Sequence, residues 1–146
     1  MYERLPRKPY ELRDKATRNE AVRRSRQAQK REPSVYAVWF PAPRVLKVGF
    51  TAHAQDSIFM AVARRRAGQR GWDAKDSSCI WRRPGDVRAE AWIQSTLAFR
   101  WRAAFDQKIH RLCEWFAVPD LAVPEIAAVL GGIYDRMPED LTGRLA

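Results

Sequence analysis

The chain has 146 residues, and its 27 Lys+Arg against 17 Asp+Glu give a formal net charge of +10. That length makes one ordinary domain able to bury a real core, and no apolar run approaches the roughly 20 residues of a membrane span. Arginine supplies most of the positive charge; its fork fits phosphate oxygens and its plane stacks on bases, which favours a nucleic acid, or an acidic protein, as partner.

Residues 1–33 read as a basic arm, with eleven Lys/Arg against five Asp/Glu. From Pro9 to Arg31 there are good helix formers and no glycine. Glu11–Lys15 and Asp14–Arg18 are spaced for i,i+4 pairing. Its apolar positions, Leu12, Ala16 and Val22, are few, so the helix buries little. Arg23, Arg24, Arg26 and Lys30 are its candidate phosphate contacts; a solvated helix that clips onto the core is the alternative. The N-terminus is charged from Glu3, so no signal peptide is expected.

Two β-rich runs follow: Val35-Tyr36-Ala37-Val38-Trp39-Phe40 and Val45-Leu46-Lys47-Val48-Gly49-Phe50-Thr51. The connection Pro41-Ala42-Pro43-Arg44 cannot continue a central strand, so a β-hairpin is predicted. A helix is predicted over about 56–69, ended by Gly68 and Gly71. Arg64, Arg65, Arg66 and Arg70 make the densest cationic cluster outside the arm: either phosphate contacts or a solvated helix end that suits the macrodipole. A third strand is predicted over 78–83, stopped by Pro84-Gly85. Asp86 is a plausible N-cap for a helix over about 87–105, with Ala89, Ile93, Leu97, Trp101 and Phe105 as its buried stripe.

The segment 111–116 reads as a short strand or turn. Pro124 suits the first position of a last helix bearing Ile126, Val129, Leu130 and Ile133 on one face. The tail from Met137 is expected to be loose. Cys79 and Cys113 form no CxxC, and with His53 and His110 they lack metal-ligand spacing, so free thiols in a reducing, cytoplasmic compartment are expected. The predicted class is α+β: a basic arm (1–33), a domain (34–136) with a small, mainly antiparallel three-stranded sheet flanked by helices, and a tail (137–146).

Four pieces in order, VYA at 35–37, KVGFT at 47–51, Glu90 near a helix start and Glu114-Trp115-Phe116, resemble the GIY-YIG nuclease superfamily. The branch is that of phage open-reading-frame and meiotically up-regulated proteins, which carries VY and KIG. The literal Gly132-Ile133-Tyr134 lies in a helical pattern and is read as coincidence. The resemblance implies a metal-dependent endonuclease acting on DNA, from a phage or mobile element. It implies Tyr36 and Lys47 as catalytic side chains, Glu90 as the ligand of one Mg²⁺ or Mn²⁺, and Gly49 and Trp115 as structural motif positions. A single carboxylate suits magnesium, which keeps most of its waters. Where the family has an arginine early in the helix this chain has Asp56-Ser57; Arg64, seven residues beyond Ser57 on the same face, is the candidate replacement. Where the branch has a histidine four residues after the glutamate, this chain has Gln94. Glu114 reads as structural. Two other readings stay open: a catalytically degenerate nucleic-acid-binding module, and an inhibitor or interaction protein on the same scaffold.

Overall fold

In the computed structural model, residues 31–102 and 114–139 are described. They are built around β1 (Arg31–Phe40), which lies between β2 (Val45–His53) and β3 (Ser78–Pro84), antiparallel to both. A strand with neighbours on both edges and helices on both faces must be apolar on both sides. Accordingly, every residue from Ser34 to Phe40 is buried. The strand starts at Arg31, so Arg31, Glu32 and Pro33 belong to the sheet rather than to the end of an arm. Pro33 falls where the β1–β2 register is irregular, between Arg31 and Ser34, a place where a missing N–H is tolerated. The remainder of the predicted arm, with Arg23, Arg24, Arg26 and Lys30, lies outside the described residues.

The hairpin pairs Phe40 with Val45 and Tyr36 with Gly49. Arg44 closes its turn at φ 53°, its N–H donating to the Pro41 carbonyl at 3.2 Å. The Arg44 guanidinium donates to the Pro119 and Leu121 carbonyls at 2.9 and 3.2 Å, tying the turn to the segment before the last helix.

A fourth strand, β4 (Trp115–Ala117), pairs with β2, so the sheet has four strands in the order β3-β1-β2-β4 rather than the expected three. Three residues are too few to show a period of two. Long-range pairing with Val45, Leu46 and Lys47 makes them a strand.

Helix α1 (Asp56–Gln69) covers one face of the sheet. Its Phe59, Met60, Ala63 and Ala67 pack on Tyr36, Val38, Phe40, Val45 and Trp115. Gly71, at φ 79°, ends the segment. The opposite face, with Val35, Ala37, Trp39, Leu46 and Val48, packs on α2 (Val87–Arg100) and α3 (Val123–Asp135).

Asp86 caps α2 as expected, accepting from the N–H groups of Arg88 and Ala89. The helix stops at Arg100 with buried Trp101 as its C-cap, short of residue 105; Phe105 lies outside the described residues. Pro124 occupies the second, not the first, position of α3. Gly132-Ile133-Tyr134 is helical, and the Tyr134 hydroxyl donates to the Pro84 carbonyl at 2.7 Å. Met137, expected to begin a loose tail, is buried against the α2–α3 face.

Candidate active site

Strand alternation puts Tyr36 and Lys47 on the α1 side of the sheet. Both side chains are nearly inaccessible, each residue 3% exposed. The Lys47 ammonium donates to the Tyr36 hydroxyl at 2.6 Å. The Tyr36 ring stacks on Phe59 of α1, centroids 3.9 Å apart and planes at 15°. Gly49 makes room for that ring: a Cβ there would lie 2.6 Å from Tyr36 Cζ. The glycine of the KVGFT string is thus required by its cross-strand partner.

These two side chains form the floor of a cavity of about 430 Å³ between α1 and the end of β2. Glu90, from the first turn of α2, reaches the same cavity, as does Glu114, the residue just before β4. The Glu114 carbonyl accepts from Val48 N–H at 2.9 Å, so backbone pairing holds this second carboxylate in place. Burial raises the Glu90 pKa and the Glu114 carboxylate raises it further, against the Lys47 ammonium and a backbone hydrogen bond at Phe50. Burial also raises the Tyr36 pKa, with Glu114 and Glu90 adding to it. Burial lowers the Lys47 pKa, and Glu114 opposes that shift. Each group is pushed towards its neutral form, as desolvation in a confined site requires.

Of the cationic cluster on α1, Arg66 lines the cavity, its guanidinium 3.7 Å from the Glu114 carboxylate. Arg64 does not. Two residues along a helix is about 200° of rotation, and Arg64 instead donates to the Ser77 hydroxyl at 2.9 Å and the Ser77 carbonyl at 3.3 Å. Arg65 is exposed. Asp56 pairs with Arg82 of β3 at 2.6 Å. Arg82 also donates to the carbonyls of His53 and Ala54 at 2.6 and 3.0 Å and so fixes the loop that enters α1. Gln94 donates to the Val48 carbonyl at 2.9 Å, joining α2 to β2 beside Gly49.

Two polar lining residues, Glu114 and His53, were not expected to take part in the site. Glu114, part of the Glu114-Trp115-Phe116 piece, read as structural. His53, which the sequence offers only in a zinc set without ligand spacing, lines the cavity, and among the described residues its buried Nδ1 has no hydrogen-bond partner. Its position two residues past Thr51, at the open end of a strand, was the available signal. Among the described residues no three His, Cys, Asp or Glu side chains group as metal ligands, and no helix is long and apolar enough to cross a membrane.

Comparison with protein-family models, with curated proteins and with solved structures returns no match.

Proposed function

We propose that this chain is a metal-dependent endonuclease that hydrolyses phosphodiester bonds in DNA, on a GIY-YIG-like arrangement of hairpin and helices. The observation that carries the reading is the meeting of Tyr36, Lys47, Arg66 and Glu90 in one cavity. Phosphodiester hydrolysis needs a proton acceptor for the attacking water, charge neutralisation at phosphorus and help for the leaving oxygen.

Tyr36, with Lys47 on its oxygen, is the acceptor. Burial lowers the Lys47 pKa and so favours its neutral amine, which takes the phenolic proton as Tyr36 draws one from water; the step leaves hydroxide for the attack, a neutral tyrosine and the Lys47 ammonium. Arg66 takes the charge-neutralising role for which the sequence offered Arg64. Its partner Glu114 keeps the guanidinium aimed across the cavity.

Glu90 and Glu114 suit a hard divalent cation: two carboxylates share a confined site, and the second disfavours ionisation of the first. Magnesium needs only one or two such ligands beside water and phosphate oxygens, so a preformed cage of three is not required. When bound, Mg²⁺ or Mn²⁺ supplies Lewis-acid stabilisation of phosphate charge.

The test is cleavage of plasmid DNA with Mg²⁺ or Mn²⁺. Glu90→Gln is expected to abolish cutting while sparing DNA binding. Tyr36→Phe, which removes one oxygen and little packing, is expected to slow it by about 10²- to 10⁴-fold. A chain that cuts neither DNA nor RNA with either metal overturns the enzyme reading. A second reading, a catalytically silent binding or inhibitor protein, draws on Asp56-Ser57 and Gln94 standing where the family has arginine and histidine. It predicts tight binding without cutting.

A further inference from the structure

We propose that Arg70, seated on Trp72 and Trp115, forms a second phosphate subsite, which takes the phosphodiester next to the one in the Tyr36–Glu90 cavity. The proposal rests on the nucleic-acid reading above for the identity of its ligand.

A second cavity of about 330 Å³ opens beside the first, lined by Arg66, Gln69, Arg70, Glu114 and Trp115. Arg66 and Glu114 line both cavities. The two are therefore neighbouring cavities along one face of α1, from Ile58 to Arg70, and a chain of phosphates laid in the first continues into the second.

Arg70 is the C-cap of α1. Its guanidinium lies 5.0 Å from the Trp72 ring centroid and 5.5 Å from that of Trp115. The two indoles meet edge to face at 5.1 Å and 65°. Neither indole is free to follow the arginine. Trp115 is a fully buried β4 residue; Trp72 is half-buried against the same apolar cluster, and its backbone N–H donates to the Ala67 carbonyl at 3.0 Å.

Rings can satisfy the faces of a guanidinium but not its in-plane N–H groups. No described residue accepts a hydrogen bond from the Arg70 side chain or forms a salt bridge with it, in contrast to Arg66 and Arg82. A planar fork held on two rings, with its donors unspent among the described residues, matches the bidentate geometry of a phosphate. Its rotamer entropy is lost before the ligand arrives, which favours binding. An arginine that merely packs on aromatics would affect stability alone; one that meets a phosphate also releases a counterion and appears in the salt dependence.

The experiment measures binding of the full chain to a labelled DNA duplex in EDTA over a series of salt concentrations, for the wild type and for Arg70→Gln, Arg70→Lys and Arg65→Gln. Arg70→Gln is expected to bind several-fold more weakly at low salt. Its log–log salt slope is expected to be shallower by about 0.9, the value of one phosphate contact. Arg70→Lys keeps the slope and loses part of the affinity, because a point charge cannot fork. Arg65→Gln, which removes the same charge from an exposed position, costs less than Arg70→Gln. Thermal melts identify any variant that has lost its fold, and Arg70→Lys then carries the comparison through its affinity alone. Wild-type slope and affinity in Arg70→Gln, or losses equal to those of Arg65→Gln, overturn the subsite and leave the nuclease reading standing. A wild-type chain that binds no DNA at any salt concentration overturns both.

Discussion

Gly49 and Glu90 each trade against a neighbour. At Gly49, any side chain meets the Tyr36 ring. Gly49→Ala is expected to cost about 1–3 kcal/mol, the usual range for overpacking, read from urea denaturation. The cost should shrink when Tyr36 is also replaced by Ala, because the ring is what the new methyl meets; equal costs in both backgrounds would place the strain elsewhere. Glu90 is held the other way. Its folded-state pKa is raised, first by burial and then by Glu114. The folded chain therefore binds more protons than the unfolded one in that range, and stability falls as pH rises through the unfolded and then the folded value. Glu90→Gln is accordingly expected to melt at a higher temperature than the wild type at neutral pH while losing Mn²⁺ binding. In the wild type, Mn²⁺ binding should strengthen as pH rises through a window above the ordinary glutamate range, and Glu114→Gln should move that window down. A metal affinity flat across that window would separate Glu90 from the metal.

Elements carry these residues into place, and α2 depends most on one of its ends. Asp86 accepts from two backbone N–H groups and pairs with Arg88 at 2.9 Å. The hydrogen bond and charge of Arg88 hold its carboxyl below the usual aspartate range. Its stabilising contribution is therefore present above the unfolded value and lost as pH falls through the folded one. Asp86→Ala is expected to cost about 1 kcal/mol at neutral pH, and Asp86→Asn much less; thermal melts of the two variants side by side check this. Because Glu90 sits in the same first turn, the cap also steadies a cavity residue. Such a cap was legible beforehand, as were the hairpin, α1 and β3, because each is declared by local chemistry: apolar runs bounded by Pro or Gly, and an Asp before an apolar stripe. Strand β4 was not, since only its partner defines it. Nor was the choice between Arg64 and Arg66. That choice depends on how α1 is rotated on the sheet, and Phe59, Met60, Ala63 and Ala67 make too sparse a stripe to fix the rotation from sequence. The approach of Glu114 to Glu90 arises from the pairing of β4 with β2, which brings together two carboxylates that lie far apart in the chain.

Across the whole molecule, charge is distributed unevenly. Residues 1–30 hold ten Lys/Arg and four Asp/Glu, so they contribute more than half of the net charge of +10. In the described part, Arg66 and Arg70 line neighbouring cavities while Arg64 and Arg82 are spent on internal hydrogen bonds. A nucleic acid bound by such a protein should therefore be held by two sets of cations: a few placed at the groove and a larger number supplied from residues 1–30. Salt separates the two, because every phosphate neutralised releases counterions and steepens the dependence of log affinity on log salt by about 0.9. Deleting residues 1–30 is expected to weaken DNA binding and to flatten that slope by several such contacts. The sheet begins at Arg31, so the deletion keeps all four strands and is expected to leave the core folded. If the shortened protein also keeps its cutting rate at saturating DNA, the arm supplies affinity and the groove supplies chemistry. An unchanged salt slope after the deletion would assign the charge of residues 1–30 to a partner other than DNA.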